Sequence, residues 1–184
     1  AAAGALSLVA GVAALAFGVA DSTAAVRRWW RVAAALALLL VSATLVLSLA
    51  IAVAATNVPP TALGTETPAD RGLAFEEARF AAADGTELAG WYLPTQNGAA
   101  VVLLHGAGST RSSVLDQAAV LARAGYGVLL FDARGHGASG GRAMDFGWFG
   151  DSDIAAALDY LERRAEVDPQ RIAAVGLSMG GEEA

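Results

Sequence analysis

The chain contains no cysteine and no lysine, and it has only two histidines in 184 residues. Without cysteine there is no disulfide, no thiol nucleophile and no thiolate metal site, although the absence says little about compartment. Every basic residue is an arginine, and 12 of them face 18 acidic residues for a net charge of −6. That balance lacks the basic surface that nucleic acid requires. Charge is also nearly missing from the first 55 residues, where only Asp21, Arg27, Arg28 and Arg31 carry it. Those four aside, nine arginines stand against 17 acidic residues, so the remainder is more acidic still. The first residue is alanine rather than methionine, and the expectation is that both ends are cut from a longer protein.

The uncharged run at residues 32–55, VAAALALLLVSATLVLSLAIAVAA, is the longest apolar stretch. As a helix it extends about 36 Å, enough to cross a bilayer with some tilt. A buried core helix of that length would ordinarily show a polar face. Residues 1–20 are apolar too and read as an earlier span. Within them Gly4, Gly11 and Gly18 recur every seven residues, close to one helix face, where small residues allow helices to pack; a segment this rich in Gly and Ala also produces such spacing by chance. The intervening DSTAAVRRWWR carries Arg27, Arg28 and Arg31, which places it in the cytoplasm by the positive-inside rule. Trp29 and Trp30 suit the bilayer interface. After residue 55 no basic residue occurs before Arg71. The expected arrangement is a transmembrane hairpin over residues 1–55 with its tip inside and the C-terminal domain outside. A competing reading takes the arginines and the apolar run as a secretion signal cleaved near Ala52 or Ala54. The run is longer than the usual core of such signals, about 7–15 residues, and another apolar segment precedes it. Both readings export the domain.

Residues 56–71 read as a linker, with Pro59, Pro60, Gly64 and Pro68 breaking any helix. Asp84-Gly85 is a hairpin turn signal between strands expected near residues 73–82 and 86–93. Strands and helices then alternate. AAVVLLHG is a buried strand ending at His105, residues 112–124 form a helix ended by Gly125, and YGVLLFDARGHG is a second buried strand ending near Asp132. A helix follows within residues 149–165, where Ile154, Leu158 and Leu161 share a face. Asp151 and Asp153 stand at its start, where negative charge suits the helix dipole. VDPQRIAAVG supplies a turn and a third buried strand that runs into Ser178. A hairpin followed by this alternation predicts an α/β fold with a parallel sheet covered by helices on both faces.

In such sheets the loops at the C-terminal strand ends form the site. Three loops there carry unusual sequence: HGAGS, DARGHGASGG and GLSMGG. Gly176-Leu177-Ser178-Met179-Gly180 follows an apolar strand and opens a helix, the setting in which a serine is strained and presented as a nucleophile. Its flanking glycines allow strand and helix to approach closely. Acyl transfer needs two donors aimed at the developing oxyanion. The backbone N–H of Met179 is one candidate. The N–H of Ala107, within the turn His105-Gly106-Ala107-Gly108, is the other.

From about Leu73 to Ala184 the sequence resembles the α/β-hydrolase superfamily. HGAGS matches its oxyanion loop, FDARGHGASGG its D-x-R-G-H-G-x-S loop, which contains Asp132, Gly135 and His136, and GLSMGG its nucleophile elbow. The combination is also similar to a bacterial branch of membrane-anchored hydrolases with serine-aminopeptidase-like and esterase-like members. The resemblance implies a serine hydrolase acting on an ester, thioester or amide of a small or lipid-like acyl substrate through an acyl-enzyme on Ser178. No metal and no organic cofactor is implied. The lipid bilayer is the one partner besides substrate, and the oligomeric state is not indicated. The family's triad runs Ser, then Asp or Glu, then His, which puts the acid and base beyond residue 184. His105 and His136 are then residues that shape the pocket, Asp132 braces its loop, and Glu182 and Glu183 lie on a helix face, with Glu182 able to tune the pocket. Residues 1–184 alone are expected to be inactive, with an exposed sheet edge. Two other functions fit the same residues: an acyltransferase on this fold, and a non-catalytic membrane protein with a hydrolase-like domain.

Overall fold

A computed structural model describes residues 10–15, 28–141 and 147–184, with the backbone alone for Arg28, Trp29 and Glu183. It divides into two units, Ala1–Ala55 and Thr56–Ala184. In the first, residues 10–15 are helical and helix α1 runs from Arg28–Thr56. The 27 residues Trp30–Thr56 are long and apolar enough to cross a membrane. Leucines along them, such as Leu36, Leu39, Leu40 and Leu45, are exposed. The hydroxyls of Ser42 and Thr44 donate back to the carbonyls of Leu38 and Leu40 at 2.6 and 2.9 Å, so neither leaves an unmet donor on this apolar surface. This is the one candidate span among the described residues, where the sequence suggested two. Most of the first expected span lies outside the described residues, as do Gly4, Gly18 and Arg27.

In the second unit, five strands form one sheet: β1 (Glu76–Ala81), β2 (Glu87–Leu93), β3 (Ala100–Leu104), β4 (Gly127–Phe131) and β5 (Ile172–Gly176), in the order β1-β2-β4-β3-β5. β1, β2 and β4 pair antiparallel, and β4, β3 and β5 pair parallel. The sheet is therefore mixed, because the hairpin docks on the β4 edge of the parallel part. Side chains alternate between its faces, as the two-residue period of a strand requires. Val102, Leu104, Leu129 and Phe131 pack with Ala156, Ala157 and Leu161 of helix α3 (Gly150–Glu162). Leu103, Val128 and Leu130 pack with Leu115 and Ala118 of helix α2 (Leu115–Arg123) on the other face. Full burial of a side chain the size of Leu or Phe stabilises by about 1.5–3 kcal/mol. The four apolar side chains of β4, Val128 to Phe131, are all fully buried, which explains why it sits at the centre. A short helix α4 (Met179–Glu183) follows β5.

Three readings need correction. The third strand, read as buried, is partly exposed along β5, with Val175 47% exposed. The expected helix over 112–124 begins only at Leu115, since Arg111–Val114 is a 3-10 turn. The segment read as a linker is docked on its own unit: Leu63 packs with the α2-side core, Gly64 N–H donates to Ser112 Oγ, and Thr61 accepts from Gly137 N–H at 2.9 Å. Pro68 there opens a 3-10 turn, Pro68–Arg71, rather than breaking one, because proline at a first helical position lacks only a donor that would be unpaired anyway.

The register fixes the level of the site. Leu104 lies beside Phe131 on one side and Gly176 on the other. Strands β3, β4 and β5 thus end in line, and the three glycine-rich loops leave the sheet side by side.

Candidate active site

Beyond Gly176, Leu177 N–H still donates to the Leu104 carbonyl at 3.1 Å, and then the chain reverses. Ser178 makes the reversal at φ 55 and ψ −118 and is the only non-glycine residue with positive φ among the described residues. Such a conformation costs about 1–3 kcal/mol and persists only where its surroundings enforce it. The surroundings here are backbone. A methyl on Gly176 would lie 1.9 Å from the Gly180 carbonyl oxygen, and one on Gly180 would lie 2.6 Å from Leu104 Cβ and 2.7 Å from the His105 carbonyl oxygen. Two glycines therefore let α4 lie directly against the ends of β5 and β3. Ser178 is exposed and Met179 is buried behind it. Met179 is the first residue of α4, so its N–H has no partner within the helix.

The loop after β3 passes over this turn. A methyl on Gly106 would sit 3.4 Å from Ser178 Cβ and 3.3 Å from the Leu177 carbonyl oxygen. Ser109 N–H donates to the Gly106 carbonyl at 3.2 Å, closing a tight turn with Gly108 at φ 70. Ala107 occupies its exposed tip.

The loop after β4 is built around Asp132, which is fully buried. Its Oδ1 accepts from Arg111 N–H at 2.8 Å, and its Oδ2 accepts from Ala138 N–H at 2.9 Å. Gly135 N–H donates to the Gly140 carbonyl at 2.7 Å, tying the loop's two ends together. Both histidines are buried between the loops. His105 Nε2 accepts from Ala133 N–H at 3.0 Å, and its Nδ1 is 2.8 Å from the Gly106 carbonyl. His136 Nε2 accepts from Gly108 N–H at 3.1 Å, and its Nδ1 is 3.0 Å from the Arg134 carbonyl. These partners require the proton on Nδ1 in both rings. Burial holds the His105 imidazole below its usual pKa, with the Gly106 carbonyl opposing only part of the effect, so the ring is neutral near pH 7. Every ring nitrogen is engaged, which leaves neither histidine free to take a proton from Ser178. Glu182 is exposed on α4.

Three residues that hold the loops escape a reading of local sequence. Arg134 is buried and grips Asp153 of α3 through Nε and Nη2, with Nε at 3.0 and 3.2 Å from the two carboxylate oxygens. Its Nη1 reaches Asp84 in the hairpin turn at 2.8 Å, and its guanidinium lies 4.4 Å over the Phe149 ring. Asp153, read from sequence as a dipole charge at a helix start, is in the first turn but is buried as a counter-ion. Arg111 lies 4.3 Å over Trp91 and 3.8 Å from Asp132, buried with Nε and Nη1 lacking hydrogen-bond partners among the described residues. The partners are 15 to 50 positions apart in sequence, and no motif spans them.

Comparisons with known proteins bear on the fold. The profile of the family described as serine aminopeptidase, S33, matches residues 95–184. The uncharacterised protein YfhR of Salmonella typhi is 35% identical over 121 residues, which are 62% of this chain and 39% of that protein. The uncharacterised Mycobacterium tuberculosis protein Rv2307c is 40% identical over 100 residues, 53% of this chain and 35% of that one. The chain thus spans less than half the length of these curated relatives. Among solved structures, the Pyrococcus furiosus esterase Pf2001 superposes with a TM-score of 0.65 at 30% identity, covering 70% of this chain and 49% of that one.

Proposed function

We propose, because this chain belongs to the α/β-hydrolase superfamily, that its parent protein is a serine hydrolase with Ser178 as nucleophile. The observation that carries this reading is the positive φ of Ser178 on an exposed strand-to-helix turn, a strained geometry that a merely structural serine does not need. In the proposed reaction Ser178 Oγ attacks the acyl carbonyl and its proton passes to a histidine base. The N–H groups of Met179 and Ala107 hold the oxyanion. The leaving group departs with that proton, and water then releases the acid from the acyl-enzyme. With His105 and His136 both engaged, the base is assigned to a part of the parent protein outside these residues. An ester is the favoured substrate, since Pf2001 is an esterase. With p-nitrophenyl acetate, the full-length protein should release a stoichiometric burst of p-nitrophenol followed by slower turnover. A wild-type-sized burst from Ser178→Ala would refute the assignment.

The same reading anchors the protein through α1 as part of a multi-pass membrane segment, with the hydrolase domain outside the cytoplasm. The arginines at positions 27, 28 and 31, against no basic residue from 56 to 70, support that orientation. A reporter enzyme fused after Asp70 should be active outside the cytoplasm, and activity confined to the cytoplasm would reverse it.

A further inference from the structure

We infer that His105 and His136 are positioning residues for the oxyanion donor, acting as a reciprocal clasp that sets the two peptide planes on either side of Ala107. The inference rests on the serine-hydrolase reading above. Each histidine comes from one loop and holds the other: His105, at the end of β3, takes the Ala133 N–H of the β4 loop, and His136, in the β4 loop, takes the Gly108 N–H of the β3 loop. The rings are packed against each other with centroids 5.0 Å apart, so neither loop shifts without moving the other.

The second nitrogen of His105 makes the device specific. Its Nδ1–H donates to the Gly106 carbonyl at 2.8 Å. That carbonyl and the Ala107 N–H belong to one planar trans peptide, in which C=O and N–H point opposite ways. Fixing the carbonyl therefore aims the N–H. Donation to the carbonyl also polarises the peptide and strengthens its N–H as a donor. The next peptide is fixed from the other side, since its Gly108 N–H ends on His136 Nε2. Ala107 itself is exposed at the tip of the turn. The buried rings instead fix the peptides on either side of it, and Gly106 lies directly beside the Ser178 turn.

A merely structural clasp would lower stability and leave the ratio of kcat to KM effects unremarkable. A positioning clasp acts in the transition state, so kcat falls while KM holds. The test compares His105→Leu with His105→Asn, whose side-chain amide keeps a donor near the Nδ1 position, in full-length protein with active sites counted by the p-nitrophenol burst. Loss of one oxyanion donor costs about 100-fold in kcat. His105→Leu is expected to lose about 10- to 100-fold in kcat with KM within about threefold, and His105→Asn to recover about tenfold of that loss. His136→Leu and His136→Gln form the matching pair and decide the matter if His105→Leu does not fold. Undiminished kcat in the folded Leu variants, or equal losses in the Leu and amide variants, overturns the clasp while leaving Ser178 in place. Absence of any burst in the wild type overturns the serine-hydrolase reading and the clasp together.

Discussion

Ser178→Gly is expected to stabilise the full-length protein by about 1 kcal/mol while abolishing its turnover. Strain at a positive-φ residue with a side chain is about 1–3 kcal/mol, and glycine relieves it. Glycine's greater freedom in the unfolded chain returns about 0.5–1 kcal/mol of that gain. Ser178→Ala keeps a Cβ at φ 55 and should show no such stabilisation. Both variants lose the nucleophile, and removal of a catalytic serine elsewhere lowers kcat by about 10⁶. Urea unfolding midpoints paired with ester turnover check the result. A destabilised glycine variant, or one that retains turnover, would show that the turn carries no strain or that Ser178 carries no chemistry.

Arg134→Met should cost about 3–5 kcal/mol, the usual penalty for leaving one partner of a buried pair charged and alone. The partner is Asp153, 2% exposed, which Arg134 grips through two nitrogens. The double variant Arg134→Met/Asp153→Leu should regain most of the loss, because no uncompensated charge then remains. Equal stability of the single and double variants would contradict the assignment. Arg134 also bears on the acid branch. Its hydrogen bond to Asp84, ahead of that from Thr86, holds the Asp84 carboxyl down to about 2 from an ordinary 3.8. A depressed carboxyl pKa contributes stability that is present above the ordinary pKa and is lost as pH falls through the folded one. The wild type should therefore lose stability more steeply between pH 4 and 2 than Arg134→Met does, as seen in thermal midpoints across that range.

The sequence made the elements and motifs legible because each leaves a local mark. Val128 to Phe131 is an unbroken apolar run, as a strand buried on both faces must be, and Asp84-Gly85 announces the hairpin. Where an element's bounds moved, the cause was local. Arg111 to Val114 closes as a tighter turn, and Pro68 starts a turn because its missing donor costs nothing there. The order of strands was harder to see, since the docking of β2 on β4 is decided by packing between residues about 40 positions apart. At the site, GLSMGG carried its own signature, and the φ of Ser178 supplies the physical content behind it. The partners of the two histidines were invisible in sequence. HGAGS and RGHG each look like a pocket loop on its own, and only the register that levels Leu104 with Phe131 brings Gly108 to His136 and Ala133 to His105. Arg134 was missed for the same reason, because its two carboxylate partners lie in a hairpin turn and a helix on either side of it in the chain.

The central claim is that one strained serine at the end of β5 is the group that attacks. It is tested most directly by treating the full-length protein with a fluorophosphonate and mapping the adduct by peptide mass spectrometry. A single adduct on the peptide containing Ser178, absent from Ser178→Gly, is the predicted result. No adduct, or one on another serine such as Ser109 or Ser113, would contradict it.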